Sequence, residues 1–259
     1  MSESISGDRS PFDLTGKVAL ITGGGTGLGL QFARSLGAAG ADLILTGRRL
    51  RVLDDSCSAL QAEGIAAQPL QIDVADRGAV DKALDSLGLT ELSILINNAG
   101  TASDTRLEEL SDDDWDRVID TNLKGAWQMS RAFVQRFGRE RGGNIINIAS
   151  VLGLSVQKGT GAYTASKAGL IQLTRQMAIE WAKYGVRVNA LLPGYYLTDI
   201  ASDYLESDAG AALVRKIPQR RLGDVSDLHG PILLLASDAS RYMTGSSLCV
   251  DGGLSIPSI

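Results

Sequence analysis

A tyrosine and a lysine four positions apart, Tyr163 and Lys167, could transfer a proton together. They fall in a stretch with helical periodicity, and a spacing of four places both side chains on one face of a helix. A phenol with an ordinary pKa is a poor base at neutral pH, but a nearby ammonium stabilises the phenolate and lowers that pKa. We therefore predict that Tyr163 is a general acid in one direction of a reaction and a general base in the other. By itself, such a pair also occurs on surface helices without any catalytic role.

Two further polar side chains could assist that proton transfer. Ser150 comes just after a predicted strand, and the carboxyl ends of parallel strands are where doubly wound folds bind their ligands. Its hydroxyl could hydrogen-bond a substrate oxygen and stabilise the charge that develops there, although it could equally be a capping or turn serine. Asn122 falls inside a long predicted helix, where an asparagine needs a specific reason.

The segment 22–29 reads TGGGTGLG and could bind a pyrophosphate. Glycines allow a sharp turn and a close approach to phosphate, and the helix that follows offers free N–H groups and the positive end of its dipole. A glycine motif is weak evidence on its own in a chain with 30 glycines. Here a buried strand at 18–21 precedes it and a helix at 28–39 follows it, which is the context that a dinucleotide-binding turn requires.

The end of the second predicted strand indicates which dinucleotide is bound. Gly47 stands where an acidic residue would accept hydrogen bonds from the ribose 2′-hydroxyl of NAD. Arg48 could pair with a 2′-phosphate and stack on adenine, and Arg49 could add charge. We therefore expect a preference for NADP(H), with NAD(H) as the second option; the alternative is a solvated pair of arginines that opens a helix.

Short apolar runs rich in β-branched residues alternate with longer helical patterns along the whole chain. Strands joined by helices form right-handed crossovers, which produce a parallel sheet covered on both faces. The sequence therefore predicts a single α/β domain of the Rossmann-like, doubly wound kind with a seven-stranded parallel sheet. The predicted strands are 18–21, 43–45, 68–72, 93–96, 144–148, 186–191 and 248–250, and the main helices after 28–39 are 115–137, capped by Ser111, and 163–184.

The ends of the chain and one internal segment depart from this alternation. Residues 1–13 are polar and predict a flexible extension, and 14–259 then form one dinucleotide-binding and catalytic domain. Residues 195–223 are long, polar and weakly patterned, which is typical of a flap over a binding site.

Composition excludes several classes of function. The net charge is −5 without a basic run, so neither nucleic acid nor an anionic membrane is an expected partner. No apolar run is long enough for a transmembrane helix, and the N-terminus lacks the apolar region of a signal peptide. Two cysteines without metal-ligand spacing and the single His229, which we expect to be structural, argue against a metal site. We expect a soluble cytoplasmic protein that acts on a small molecule.

The glycine spacing and the motifs after it resemble the short-chain dehydrogenase/reductase family. Gly23, Gly27 and Gly29 give GxxxGxG with a threonine before it, rather than GxGxxG. The other motifs follow in order over residues 14–253: DV at 73–74, NNAG at 97–100, Asn122, Ser150, YxxxK at 163–167, PG at 193–194 and VDGG at 250–253. Such a set is far more specific than any single member.

The resemblance implies a role for individual residues. Asn122, Ser150, Tyr163 and Lys167 would be catalytic, with Asn122 holding a water that connects Lys167 to solvent, and Lys167 also bonding the nicotinamide ribose. The implied cofactor-binding residues are Gly23, Thr26, Gly27, Leu28, Gly29, Arg48, Arg49, Asp73, Val74, Asn98, Ala99, Gly100, Tyr163, Lys167, Pro193, Gly194 and Thr198. Among these, Asp73 and Val74 would contact adenine, and Thr198 the carboxamide. Members of the family are usually tetramers, so a homotetramer is implied as well.

The substrate is less well specified by the sequence. The patterns are similar to those of sugar-acid or polyol dehydrogenases such as gluconate 5-dehydrogenase, and to those of 3-oxoacyl thioester reductases. Tyr184 stands before Gly185 where reductases of carrier-protein substrates tend to have a basic residue, which favours the former, although Arg136, Arg139 and Arg141 form a basic edge nearby. The implied reaction interconverts a ketone and a secondary alcohol; a non-catalytic NADP(H)-sensing protein is an alternative of another class.

Overall fold

A computed structural model describes residues 10–88, 91–196 and 208–256 of the chain. Its centre is a parallel seven-stranded sheet with the order β3-β2-β1-β4-β5-β6-β7, as predicted for a doubly wound fold. The strands are β1 Val18–Thr22, β2 Asp42–Gly47, β3 Ala67–Gln71, β4 Ile94–Asn97, β5 Gly143–Ile148, β6 Val186–Pro193 and β7 Ser247–Val250. The predicted strands are confirmed, with ends that differ by one or two residues.

Helices cover both faces of the sheet. They are α1 Gly27–Ala38, α2 Leu50–Ala62, α3 Arg77–Ser86, α4 Asp112–Ile119, α5 Gly125–Phe133, α6 Arg139–Arg141, α7 Gly161–Trp181, α8 Asp208–Lys216 and α9 His229–Ala236. Two π-helical turns, Asp120–Lys124 and Val134–Gly138, join α4, α5 and α6 into one long helix. That helix begins earlier than predicted, directly after Ser111, whose hydroxyl accepts a hydrogen bond from the backbone N–H of Asp114 at 3.2 Å.

Successive residues of the central strands enter opposite cores, and this accounts for their uninterrupted apolar runs. Ile21 packs with Phe32 of α1 and Ile232 of α9, whereas its neighbour Leu20 packs with Phe133 of α5 on the other face. Burial on both faces fixes the register of each strand, because a slip by one residue would exchange the two faces.

The segments predicted to be irregular are described only in part. Residues 10–13 of the predicted extension are attached to the domain, since the carbonyl of Pro11 accepts a hydrogen bond from Ala239 at 3.1 Å. Of the predicted flap, residues 195–196 and 208–223 are described; they contain α8 and a bridge between Tyr196 and Gly223. In the described ranges, none of the helices combines the length and the apolar character needed to cross a bilayer.

Candidate active site

The strand register brings the predicted catalytic and cofactor-binding residues to one edge of the sheet. Asn97 of β4 lies beside Asn147 of β5, and Ile148 of β5 lies beside Leu191 of β6. The segments that follow these strands therefore leave the sheet at the same level. They carry the NNAG motif, Ser150 and the Pro193-Gly194 pair, so a cleft forms at the carboxyl edge, where doubly wound folds bind ligands.

Ser150 and Tyr163 lie close to each other at this edge. Ser150 is 7% exposed, and its hydroxyl accepts a hydrogen bond from the backbone N–H of Leu152 at 3.1 Å. Burial raises the pKa of Tyr163, and the hydrogen bond with Ser150 acts in the opposite direction. Both hydroxyls can therefore reach one oxygen atom of a bound molecule.

Lys167 lies one helical turn beyond Tyr163, with its amine 5.5 Å from the centre of the phenol ring. The side chain is 4% exposed, and its amine donates a hydrogen bond to the carbonyl of Ile148 at 2.7 Å. Burial lowers the pKa of Lys167 to about 8, so the amine still carries its charge at neutral pH. The predicted proximity of the two groups is thus present.

The direction of the Tyr163 pKa differs from the sequence-based expectation. The spacing of four predicted a phenol made more acidic by its lysine, whereas burial raises the pKa of Tyr163. Desolvation disfavours the phenolate, and it outweighs the favourable interactions of the phenolate in this state. The positive charge of an oxidised nicotinamide ring would act in the opposite direction.

Asn122 lies in the first π-helical turn, which explains an asparagine within the long helix. Its carbonyl oxygen accepts a hydrogen bond from the backbone N–H of Thr101 at 2.8 Å. Its amide donates to the Thr101 carbonyl at 2.9 Å and to the Ser166 hydroxyl at 3.0 Å. A Cβ atom placed on Gly100 would lie 3.4 Å from the side-chain oxygen of Asn122 and 3.7 Å from the Lys167 amine. The Asn122 and Lys167 side chains therefore border the same small space beside Gly100.

The glycine-rich turn is packed too tightly for side chains. A Cβ atom on Gly29 would lie 2.2 Å from the carbonyl oxygen of Gly23 and 2.6 Å from the side-chain nitrogen of Asn98. Gly23 and Gly27 have φ values of 63° and 53°, which favour glycine. Thr26 precedes α1 without capping it through its side chain, so the first N–H groups of this helix remain available to an anion.

A threonine that was not among the predicted site residues ties the glycine turn to the NNAG motif. The hydroxyl of Thr22 accepts hydrogen bonds from the backbone N–H groups of Asn98 and Ala99, both at 2.9 Å. In return, the Asn98 amide donates to the carbonyls of Thr22 and Gly23 at 3.0 and 3.1 Å. The Asn98 side chain therefore holds the start of the glycine-rich turn in place.

A cavity of about 200 Å³ between the glycine turn and the ends of β2 and β3 has the composition of an adenosine site. Its lining includes eight of the seventeen predicted cofactor residues: Gly23, Thr26, Arg48, Arg49, Asp73, Val74, Ala99 and Gly100. Arg48 and Arg49 are exposed, and neither forms an ion pair with a carboxylate of the described residues. The Asp73 carboxylate accepts a hydrogen bond from Ala75 at 3.0 Å, so it also shapes its own turn.

The same cavity contains a residue that the sequence did not single out. Arg117 of α4 donates a hydrogen bond to the Thr101 hydroxyl at 2.6 Å and pairs with Asp114 at 2.8 Å. It thereby braces the segment that follows the NNAG motif. Nothing in the local sequence distinguishes Arg117 from a solvated arginine, because its partner lies 16 residues earlier in the chain.

Of the remaining predicted residues, Pro193 and Gly194 lie at the end of β6, and Thr198 lies outside the described residues. Gly194 packs against the last strand: its backbone N–H donates to the Val250 carbonyl at 3.0 Å. His229 is remote from the cleft, between α1 and α9, with its Nδ1 2.9 Å from the Ser35 hydroxyl. The described residues contain no cluster of side chains that could hold a metal ion.

A chain of buried polar groups supports the cleft from inside the sheet. The side-chain amide of Asn97 donates to the Ser130 hydroxyl and to the side-chain carbonyl oxygen of Asn147, both at 2.8 Å. The Asn147 amide donates to the Thr174 hydroxyl at 2.8 Å. These bonds join β4 and β5 to α5 and α7 directly below the residues that line the cleft.

Comparison with known proteins agrees with this geometry. Residues 23–255 match the family model described as enoyl-(acyl carrier protein) reductase. The chain is 35% identical to gluconate 5-dehydrogenase of Gluconobacter oxydans over 95% of this chain and 97% of the relative. It is also 35% identical to a 3-oxoacyl-[acyl-carrier-protein] reductase of Salmonella typhimurium, over 92% and 97% of the two chains.

Among solved structures, a gluconate 5-dehydrogenase from Burkholderia cenocepacia in complex with NADP and tartrate superimposes with a TM-score of 0.92. It is 34% identical, and the match covers 96% of this chain and 98% of that one. The glycine turn, the paired Ser150 and Tyr163, and the buried Lys167 occur here in a chain that matches such relatives over nearly its full length. The chain belongs to the short-chain dehydrogenase/reductase family, and it is an oxidoreductase that acts on CH–OH groups.

Proposed function

We propose that this protein interconverts a ketone and a secondary alcohol with NADP(H), and that Tyr163 exchanges the proton with the substrate oxygen. The observation that carries the proposal is the convergence of Ser150, Tyr163 and the buried amine of Lys167 at the edge of the sheet where the dinucleotide cavity opens. The bound cofactor supplies or accepts the hydride. The protein supplies orientation, the proton and stabilisation of charge.

In the direction of reduction, the Tyr163 hydroxyl donates its proton to the carbonyl oxygen as negative charge develops there. Ser150 stabilises that oxygen with a second hydrogen bond. In the direction of oxidation, Tyr163 must first lose its proton, and the Lys167 ammonium 5.5 Å from its ring favours the phenolate. Asn122 acts by holding the Thr101 segment and Ser166 in place, and it borders the space through which a water could reach Lys167.

The cofactor assignment rests on the charges at the end of β2. Arg48 and Arg49 border the adenosine cavity, and Gly47 brings no carboxylate to repel a 2′-phosphate. The similar Burkholderia cenocepacia enzyme was crystallised with NADP, which supports the same choice. We therefore propose NADP(H) as the preferred cofactor and NAD(H) as a weaker one. In this proposal Asp73 and Val74 contact the adenine, Lys167 bonds the nicotinamide ribose, and Thr198 contacts the carboxamide. The other predicted cofactor-binding residues line the rest of the dinucleotide.

For the substrate we propose a sugar acid or polyol. Gluconate 5-dehydrogenases are among the similar proteins, and one of them was crystallised with tartrate, a hydroxylated dicarboxylate. In this view the segment 195–223 closes over the substrate, with α8 as its described helix.

A 3-oxoacyl thioester is the second candidate, and one observation favours it. Leu154 and Val156, on the loop after β5, are 53% and 85% exposed and offer an apolar surface to an acyl chain. A carrier-protein partner has less support, because Arg136 pairs with Asp81 and Asp85, and Arg141 pairs with Glu91. These contacts reduce the charge that the predicted basic edge can offer to an acidic partner.

We further propose a cytoplasmic homotetramer. A groove of about 580 Å³ between α5 and α7 is lined by Leu123, Trp127, Gly169 and Leu173, and it suits the same helices of a second copy. Cys57 and Cys249 are both free, which fits a reducing compartment. Sedimentation analysis would report a species of four times the chain mass; a monomer at micromolar concentration would contradict the assembly.

A substrate panel tests the catalytic proposal. Ketones, sugar acids, polyols and acyl thioesters are each incubated with NADPH or NADH, or with the oxidised cofactors, and the nicotinamide absorbance is followed. We expect turnover of at least one hydroxylated substrate, with kcat/KM for the NADP form at least about tenfold above that for the NAD form. The absence of turnover in every class would contradict the proposed activity, and a preference for NAD would contradict the role of Arg48.

A further inference from the structure

A polar bridge joins the loop that follows β5 to the segment that follows β6, the same two connections that begin near Ser150 and Pro193. Ile148 and Leu191 are neighbours in the β5–β6 register, so Ser150 and Pro193 lie at a similar level at the carboxyl edge of the sheet. Tyr195 follows Pro193 by two residues, and Gln157 lies on the loop after Ser150. The Tyr195 hydroxyl donates a hydrogen bond to the side-chain carbonyl of Gln157, which links these two segments at the carboxyl edge of the sheet.

Both ends of the bridge are held in place by their own segments. The carbonyl of Tyr195 accepts a hydrogen bond from the backbone N–H of Gly223 at 2.9 Å. The carbonyl of Gln157 accepts one from the Thr160 hydroxyl at 2.9 Å. The backbone N–H of Thr105 donates to the Gly159 carbonyl at 3.1 Å, so the loop that carries Gln157 is also fixed to the segment after β4.

The adjacent tyrosine has a different role. Tyr196 is 9% exposed, its ring packs against Gly223, and its hydroxyl donates to the Val250 carbonyl at 2.7 Å. It therefore packs into the domain and does not line the cleft. Tyr195, by contrast, extends towards the loop after β5, where its hydroxyl meets Gln157.

The bridge leaves one hydrogen-bonding group unused. The side-chain oxygen of Gln157 accepts the hydrogen bond from the Tyr195 hydroxyl, which fixes the orientation of the planar amide. The amide nitrogen has no hydrogen-bond partner among the described residues. That nitrogen offers two N–H donors. A hydroxylated carbon chain bound at Ser150 and Tyr163 would present oxygen acceptors to them, whereas an acyl chain would cover the donors and leave them unpaired.

We propose that Gln157 determines substrate specificity by donating a hydrogen bond to an oxygen on a carbon near the reacting one, and that Tyr195 is the positioning residue that orients its amide. This proposal rests on the oxidoreductase function proposed above and narrows its substrates to hydroxylated chains, either sugar acids or uncharged polyols. A site built to hydrogen-bond a substrate oxygen rejects analogues that lack it, because its polar group is then left without a partner.

Three variants test the proposal against the best hydroxylated and the best apolar substrate of the panel. Gln157→Leu leaves a forked side chain that is one bond shorter and has no donor, so kcat/KM for the hydroxylated substrate should fall about tenfold while that for the apolar one stays the same or rises. Tyr195→Phe should raise KM for the hydroxylated substrate and leave kcat within about twofold. Gln68→Leu, an identical change on the exposed side of β3, is the matched control.

The third variant, Gln157→Glu, separates the two kinds of hydroxylated substrate. The glutamate carboxylate can still accept a hydrogen bond from the Tyr195 hydroxyl, but it lacks the N–H donors and adds a negative charge. We expect kcat/KM for gluconate to fall about tenfold more than that for sorbitol, since only gluconate is repelled. Equal losses on all substrates in Gln157→Leu, or no loss in any, would overturn the proposal.

The substrate panel distinguishes a failure of the oxidoreductase function from a failure of the Gln157 role. If wild-type protein turns over no substrate of any class, the proposed oxidoreductase function fails. If it turns over apolar ketones or acyl thioesters but no hydroxylated substrate, the function stands and the role of Gln157 is wrong.

Discussion

Replacing Lys167 with methionine tests the electrostatic part of the mechanism. The amine lies 5.5 Å from the centre of the Tyr163 ring, and methionine fills a similar volume without charge. At an effective dielectric constant of about 20, a unit charge at that distance stabilises the phenolate by about 3 kcal/mol. That energy corresponds to a factor of about 100 in the population of phenolate at a given pH.

The variant is assayed as alcohol oxidation under saturating NADP⁺, since Lys167 is also proposed to contact the cofactor. We expect kcat at neutral pH to fall about 100-fold and the rising limb of the pH profile to move to higher pH. The 100-fold comparison of kcat is made below pH 8, because the pKa of Lys167 is lowered to about 8 and the wild-type amine loses its charge as the pH rises through that value. The limb of the variant is followed to higher pH.

The control is Lys158→Met, which removes an exposed lysine from the loop after β5 and should leave the profile unchanged. If Lys167→Met lowered kcat by the same factor at every pH, with the limb in its wild-type position, the lysine would not act through the phenol. The electrostatic reasoning would then be refuted, even though Lys167 would remain important for activity.

Three other substitutions have defined consequences. Gly29→Ala puts a Cβ atom 2.2 Å from the Gly23 carbonyl oxygen, so the turn must shift and the Kd for NADPH should rise at least about tenfold in a fluorescence titration. Arg48→Ala removes a cation from the adenosine cavity and should raise the Kd for NADPH about tenfold or more while that for NADH changes less than about twofold. Thr174→Val leaves the buried Asn147 amide without its partner and should lower the free energy of unfolding by about 1–3 kcal/mol in urea.

Each of these has a control or a contradicting result. Gly230→Ala adds a methyl group with nothing within 4 Å, so it should leave NADPH binding intact. Arg51→Ala removes an exposed charge from the first turn of α2, three positions after Arg48. If Arg51→Ala lowered the affinity for NADPH as much as Arg48→Ala does, the effect of Arg48→Ala would be a non-specific effect of charge. A change below about 0.5 kcal/mol in Thr174→Val would show that another donor or water replaces the hydroxyl.

The sequence predicted best what depends on short distances along the chain. The central strands were identifiable because burial on both faces requires uninterrupted apolar runs, as in the run around Leu20 and Ile21. Tyr163 and Lys167 were identifiable as a pair because one helical turn separates them. The boundaries of α2 and α3 were not predicted, since these helices carry mixed polar and apolar residues and lie on the surface.

Contacts between distant parts of the chain were not predictable. Thr22 meets Asn98 and Ala99 across 76 and 77 residues, and the bond between Asn122 and Thr101 spans 21. Threonines are common, and no local pattern marks one that joins two strands. The raised pKa of Tyr163 was missed for the same reason: spacing shows which residue lies one turn away, but burial depends on the whole fold.

The most direct test of the mechanism is Tyr163→Phe, which removes one oxygen atom from the cleft. The variant should bind NADPH with a Kd within about threefold of the wild type, because the adenosine cavity, where Arg48 and Arg49 meet the cofactor, is not lined by Tyr163. Its single-turnover rate of hydride transfer, followed at the nicotinamide absorbance, should fall by at least about 1,000-fold at every pH. A variant that binds NADPH normally and transfers hydride within tenfold of the wild-type rate would contradict the assignment of Tyr163 as the proton-transfer group.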